Sequence, residues 1–284
     1  MKNFRIKLYF EALIVIVISF SEVLLNAQSI NLRQGNARLG LKQNTYSELQ
    51  FSNTLTQFTY TTVKTEKGSF IQLNVPDYGS SNRIGDPKLP ILRKLIEIPI
   101  GANPSVKVVN YTVTDYKLSD YGIAYPVLPA QPSVSKTAKK QIPKFQYNDL
   151  TYTSNKFNSD EIVTVDVLGI MRGVRLARLN IAPVKYNPVT NTIRVYNDIK
   201  VEITFPGADI TQTIELKKKT YSHYFESMYD NQLINYKSVH TAKDTTTRYP
   251  VKYVIVADST FKSALQPFVQ WKTKKGFTVI EAYT

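Results

Sequence analysis

The sequence predicts a mainly β protein: an antiparallel, β-sandwich-like body followed by the start of an α/β unit. Three observations carry this. Of 284 residues, 19 are Tyr and 13 Phe, set among abundant Thr, Val and Ile, the side chains that suit a half-buried pleated surface. Apolar and polar residues alternate over several segments, most clearly at Ile193, Val195, Ile199, Val201, Ile203 and Phe205. Residues 251–284 instead read strand, helix, strand. A hydrophobic fraction of 43% is enough to build a real core in a chain of this length.

The first 27 residues read as a signal peptide. Lys2, Arg5 and Lys7 precede an apolar run over 12–18, and a small residue, Ala27, marks the expected cleavage point. A membrane anchor is the alternative, but Glu11 and Glu22 bracket an apolar stretch shorter than the roughly 20 residues a span needs. No transmembrane segment is therefore expected once the signal is removed. The formal net charge is +14; the leader holds three positive and two negative charges, so its loss leaves +13. Such a balance suits nucleic acid, an anionic envelope or an acidic partner domain, and export makes nucleic acid the poorest fit. The chain has no cysteine, which excludes disulfides, a thiol nucleophile and thiolate metal ligands from it.

Residues 28–45 are polar and weakly periodic and read as a loose leader. Strands follow. Ile71, Leu73 and Val75 alternate with Gln72 and Asn74, and Leu92, Ile96, Ile98 and Ile100 share a face opposite Arg93 and Glu97, which places those two on a wet side. Gly85 and the pair Asp86-Pro87 set turns between these strands, and "PIGANP" over 99–104 sets another. A strand begins at Ser105. Residues 125–144 hold four prolines and four lysines without apolar periodicity, the pattern of an extended, exposed loop. Val163, Val165 and Val167 resume the strand pattern; a phase change between Leu176 and Leu179 predicts a bulge, and "NPVTN" predicts a hairpin turn. The β body is expected to span 28–216.

Residues 217–250 read as a short helix, with Phe225, Met228, Tyr229 and Leu233 at helical spacing, and then a polar connector. From 251 to 257 the chain is apolar apart from Lys252, as in a strand buried on both faces. Ser259 can cap a helix carrying Phe261, Leu265, Phe268, Val269 and Trp271, Pro267 should bend or delay it, and Gly276 ends it before a second strand. Two strands and one helix leave a parallel sheet half covered, so 251–284 is expected to be the truncated start of a larger domain.

"GDPKLP" at 85–90, "IEIPIGAN" at 96–103, "YPVLPAQP" at 125–132 and "RGVRLARLNIAPVKYNPVTNTIRVYNDIKVEI" at 172–203 are similar, in this order, to segments of gingipain-family propeptides. "KYVIVADSTFKSALQPFVQWKTKKGFTV" at 252–279 resembles the first strand, helix and strand of that family's caspase-like catalytic domain. The resemblance implies a secreted cysteine endopeptidase zymogen, exported through the periplasm by type IX secretion to the medium or outer cell surface. In it a β-rich prodomain acts as chaperone and inhibitor of a cognate catalytic domain that works by a Cys-His dyad. That dyad is expected beyond Thr284, and neither His223 nor His240 lies in a matching motif, so the chain alone should be inactive. The resemblance implies no cofactor for this chain, with any calcium belonging to the catalytic domain.

A long cationic side chain can fill a narrow pocket floored by a carboxylate, which makes Lys136, Lys139, Lys140 and Lys144 candidates for an inhibitory loop; an ordinary solvated charge cluster is the competing reading. Lys243 and Arg248 are the candidate processing sites, because they lie in exposed, unpatterned chain. Arg172, Arg175, Arg178 and the basic run 217–219 read as a solvated face and a charged linker, and Asp166 and Asp198 as solvated strand edges, rather than as contact surfaces or a paired acid and base. The alternatives to a latency domain are a cell-surface β-sandwich adhesion module and a freestanding protease inhibitor.

Overall fold

The computed structural model describes residues 28–134, 143–239 and 251–284. The chain enters through strands β1 (Gln28–Asn31), β2 (Arg38–Asn44), β3 (Glu48–Thr54), β4 (Gln57–Thr65) and β5 (Gly68–Asn74). The first two replace the loose leader expected from the sequence. β1 pairs antiparallel with β4 and so delivers Ile30, which is 2% exposed, to the core. β2 is held by its pairing with β3 and has no buried residue, which is why it shows little periodicity.

There follow β6 (Gly79–Ser80), β7 (Pro90–Glu97), β8 (Ser105–Lys117), the short helix α1 (Asp149–Tyr152), β9 (Val163–Met171), β10 (Val174–Ile181), β11 (Val184–Asn187) and β12 (Thr192–Thr204). The expected bulge is present: the register of β10 on β9 shifts between Leu176 and Ala177. The expected hairpin joins β11 to β12, with Asn191 at φ +46°.

β12 organises the body. β8 pairs along its whole length, so its other edge is divided end to end between β11, opposite residues 192–195, and β3, opposite residues 199–204. At the division the register slips and Asp198 takes φ +50°. The two halves of β12 serve different cores. Ile193 and Val195 join Phe58, Tyr60, Ile71 and Leu73 of the β1-β4-β5 sheet, whereas Ile199, Val201 and Ile203 face Leu92, Ile96, Ala177 and Leu179 of the β6-β7-β10-β9 sheet. All five β12 side chains are at most 2% exposed. Each contributes about 1.5–3 kcal/mol by leaving water.

Helices α2 (Ile210–Lys219) and α3 (His223–Gln232) come next. α2 runs through residue 216, where the sequence suggested that the β body ends, and Asp209 caps it by accepting from the Gln212 backbone N–H at 2.8 Å. It starts against the 99–104 turn. Gly101 stands at φ +77°, and a Cβ there would lie 2.7 Å from the carbonyl of Gly207, so only glycine fits. α3 is the helix the spacing predicts: Tyr229 and Leu233 are buried with Val174, and Phe225 and Met228 pack against them.

In residues 251–284, β13 (Lys252–Ala257) and β14 (Thr278–Tyr283) pair in parallel and are joined through a 3₁₀ turn and helix α4 (Lys262–Lys274), which contains Pro267. Asp258, not Ser259, supplies the cap, accepting from the Thr260 backbone N–H at 2.8 Å. The strand expected to be buried on both faces is covered on one. Tyr253 meets Phe268 of α4 at 5.7 Å, while Val254 and Val256 on the other face are 57% and 70% exposed. A single helix covers a single face.

Candidate functional site

The basic loop leaves and rejoins the body on two limbs. Its outgoing limb is not the exposed coil expected for 125–144. Val127 and Ala130 are 0% and 3% exposed, and the limb lies in a ladder between Ile71 and the 85–88 turn. Leu128 donates its N–H to the Ile71 carbonyl at 2.7 Å and Ala130 donates to the Asp86 carbonyl at 2.8 Å, while Lys88 donates to Leu128 and Gly85 to Ala130. Pro126 and Pro129 fall where the ladder asks for no donor, so four prolines in the sequence conceal a strand-like segment. Tyr152 fixes it from α1 by donating to the Val127 carbonyl at 2.6 Å, and burial pushes the Tyr152 phenol far up.

The return limb is aromatic. Phe145 packs on Phe70 at 5.7 Å, Tyr147 stacks on Tyr152 at 4.3 Å, and the Phe145 backbone N–H reaches Glu66 at 3.3 Å. Between the limbs lies a cavity of about 360 Å³ lined by Thr65, Glu66, Gln131, Val134 and Phe145 among others. Asp86 ties this return to the outgoing ladder, accepting from Asn148 Nδ2 and Thr151 Oγ1, both at 2.7 Å. Lys144 is exposed on the return limb. Lys136, Lys139 and Lys140 lie outside the described residues.

A second polar centre stands where the body ends. Glu97, assigned by alternation to a wet side, is 2% exposed, and Lys217, read as part of a charged linker, is 3% exposed. The two form an ion pair at 2.6 Å. Over it runs the strap 233–238: Ile234 donates its N–H to the Leu95 carbonyl at 3.2 Å, Lys237 donates its backbone N–H to Glu97 Oε2 at 3.0 Å, and Lys217 Nζ also bonds the Lys237 carbonyl. Asn235 brackets the Glu97 backbone, donating Nδ2 to its carbonyl at 2.9 Å and accepting its N–H at 2.7 Å. The Lys217 ammonium also lies 4.3 Å from the Tyr236 ring centre. Burial lowers the Lys237 ammonium to about 8, with Glu97 opposing and Lys217 adding, and burial together with Glu97 raises Tyr46 to about 12. The strap leads to Lys243 and Arg248, which lie outside the described residues, as do Ala27 and His240.

Lys218 and Lys219 are exposed, and the other charged residues that the sequence singled out have local partners. Arg178 and Asn180 hold Asp166 at 2.9 Å, and the hydrogen bond from Arg178 keeps that carboxyl below its usual range. Asp198 takes Arg33 and Thr54. Arg175 is turned inward to the carbonyls of Pro99 and Ala102 at 2.9 and 2.7 Å, and Arg172 lies over the Phe225 ring. Among the described residues no group of three or more His, Cys, Asp or Glu could hold a metal ion, and no helix is long and apolar enough to cross a membrane.

Fold and site together define a class: an antiparallel β domain that leads, through a strapped exit, toward a parallel βαβ unit. Residues 28–241 match the family model Propeptide_C25, and the chain belongs to that family. It is 37% identical over 274 residues to Lys-gingipain of Porphyromonas gingivalis (strain ATCC 33277), covering 96% of this chain and 16% of that protein. It is 29% identical over 254 residues to Gingipain R2 of P. gingivalis (strain ATCC BAA-308 / W83), covering 86% and 32%. The chain thus spans a minor part of these relatives. Among solved structures, one described as giving structural insight into zymogenic latency of gingipain K from P. gingivalis superimposes with a TM-score of 0.61 at 35% identity, covering 64% of this chain and 100% of that one. A complex of P. gingivalis RgpB pro- and mature domains gives 0.56 at 27%, covering 71% and 98%.

Proposed function

We propose that residues 28–239 form the propeptide that helps fold, and holds latent, a secreted gingipain-like cysteine endopeptidase, whose catalytic domain begins with the βαβ unit at 251–284. One observation carries this reading: the unit built on β12 and closed by the 233–238 strap is coextensive with the propeptide match at 28–241. The cognate catalytic domain is its partner. In this reading the basic loop carrying Lys136, Lys139, Lys140 and Lys144 enters the catalytic cleft, a signal cut after Ala27 starts export, and a cut at Lys243 or Arg248, beyond the strap, separates the two domains. Secretion machinery takes the protein to the cell surface or medium, and any calcium belongs to the catalytic domain. An adhesion module has no use for a βαβ unit joined to it by a connector.

Purified full chain added to mature Lys-gingipain and to mature Gingipain R2 tests the proposal. Potent inhibition of at least one is expected; no inhibition of either at high molar excess would count against latency as the function. Mass spectrometry of the secreted product should find a mature N-terminus directly after Lys243 or Arg248, and a terminus remote from both would discard that assignment.

A further inference from the structure

We propose that the peptide bond after Lys237 is a cryptic cleavage site for a lysine-specific peptidase, closed by the 233–238 strap and opened only when that strap lifts. Such a peptidase takes its substrate as an extended strand, pairs with the main chain and draws the lysine before the scissile bond into a pocket. At Lys237 each of those handles is in use. Its backbone N–H donates to Glu97 Oε2 at 3.0 Å, its carbonyl accepts from Lys217 Nζ, and its ammonium lies 4.9 Å from the Tyr46 ring centre. The residues before it are held as well: the Asn235 carbonyl accepts from Asn44 Nδ2 at 3.0 Å, the Asn235 carboxamide brackets Glu97, and the Tyr236 hydroxyl donates to Glu226 at 3.2 Å. Backbone bound on this scale is not threaded into a cleft.

Lifting the strap is a local event. It parts residues 234–237 from Leu95, Glu97, Lys217 and Tyr46. No residue of 233–238 lies in the core around Ile193, and only Ile234 borders the one around Ile199, so both cores on β12 stay in place. Lys185 is the opposite case: 4% exposed on β11, all of whose residues are buried, it is reached only when the body itself unfolds. Cleavage through an opening follows the population of the open state, so the two lysines read two different openings. At the lifted strap hydrolysis breaks the bond between the Lys237 carbonyl carbon and the Ser238 nitrogen; water gives its hydroxyl to the acyl carbon and a proton to the amine, and no further reactant is needed. In the propeptide reading, on which only this ordering rests, a cut beyond the strap parts the domains first, and the cut at Lys237 follows on molecules whose strap has risen.

Digestion of the full chain by endoproteinase Lys-C without denaturant, with the termini at Lys237 and Lys185 timed by mass spectrometry, tests the proposal. The Lys237 terminus should appear while Lys185 is still intact. Asn235→Ala, which removes two hydrogen bonds to the Glu97 backbone, should speed the Lys237 cut roughly 10- to 100-fold. Tyr236→Leu, which gives up the ring contact with Lys217 but keeps an apolar side chain, should act in the same direction and serves if the alanine variant folds poorly. Leu73→Ala weakens the core that the strap does not touch, and should speed the cut at Lys185 while leaving that at Lys237 unchanged. Equal rates at Lys237 in wild type and both strap variants, or a Lys237 cut that accelerates in step with Lys185 in Leu73→Ala, would overturn the proposal. Either result leaves the propeptide reading standing, because this cleavage does not depend on whether the chain inhibits a gingipain.

Discussion

Replacing Lys217 by Met should destabilise the β domain by about 3–5 kcal/mol, the range for breaking a buried ion pair by removing one partner. The structure places this case there for three reasons. The side chains of Lys217 and Glu97 are 2% and 1% exposed, so the carboxylate left behind has no access to water. The Glu97 carboxylate would keep only the Lys237 backbone N–H, and the Lys237 carbonyl would lose its ammonium donor. The strap would also lose the ring contact between Lys217 and Tyr236. For a domain of this size each kcal/mol is worth about 2–4 °C, so thermal melts should fall by roughly 6–20 °C. Lys218→Met, one residue on but exposed, should stay within about 0.5 kcal/mol. The double variant Glu97→Met with Lys217→Met should recover much of the loss, since the fully buried carboxylate leaves together with its ammonium partner and only the half-buried Lys237 loses the Glu97 charge. A Lys217→Met melt within 2 °C of wild type, or a double variant as unstable as the single one, would refute the reasoning.

Lys237 gives a pH dependence with a fixed sign. Its ammonium is lowered from 10.5 to about 8 in the fold, so between those values the unfolded chain binds more protons and stability rises with pH; the penalty is full below about 8 and gone above about 10.5. Urea midpoints for wild type and Lys237→Met from pH 7 to pH 10 should lose that rise in the variant, and an equal slope in both would assign it elsewhere. Asn197→Ala should cost about 2–4 kcal/mol, because it strips both the donor and the acceptor from the buried backbone of Leu55, at 2.8 and 2.9 Å; chemical denaturation measures it, and a cost below about 1 kcal/mol would mean that water replaces the side chain.

Alternation made the strands legible where a strand has one wet face. β5, β7 and the second half of β12 were readable for this reason, and the period of α3 was equally plain. Three features were hidden by physics that acts across the chain. β1 owes its order to β4, some 30 residues on, and contributes one core side chain, too little for a periodic signal. Glu97 falls in a polar phase, and only the arrival of Lys217 and the strap makes burying it tolerable. The ladder at 126–130 uses backbone groups alone, and its prolines argue for a loop. Of the candidate site, the sequence marked the basic loop and the exposed Lys144, but not the join between the two limbs: Gln131, whose amide pairs with the Gln146 backbone, leaves no trace in composition or spacing.

Gln131, Asn197 and Asn235 have a common bearing on how this protein ages. Each carboxamide both donates to and accepts from the backbone of one distant residue, Gln146, Leu55 and Glu97 respectively. Hydrolysis of one such amide adds a single water, releases ammonia and changes the mass by about one unit, yet it exchanges the donor for a negative oxygen facing a carbonyl. Loss of the amide at any of these brackets would set a carboxylate against a backbone carbonyl that the amide now satisfies. Such a change would weaken the link to the distant segment without cutting the chain.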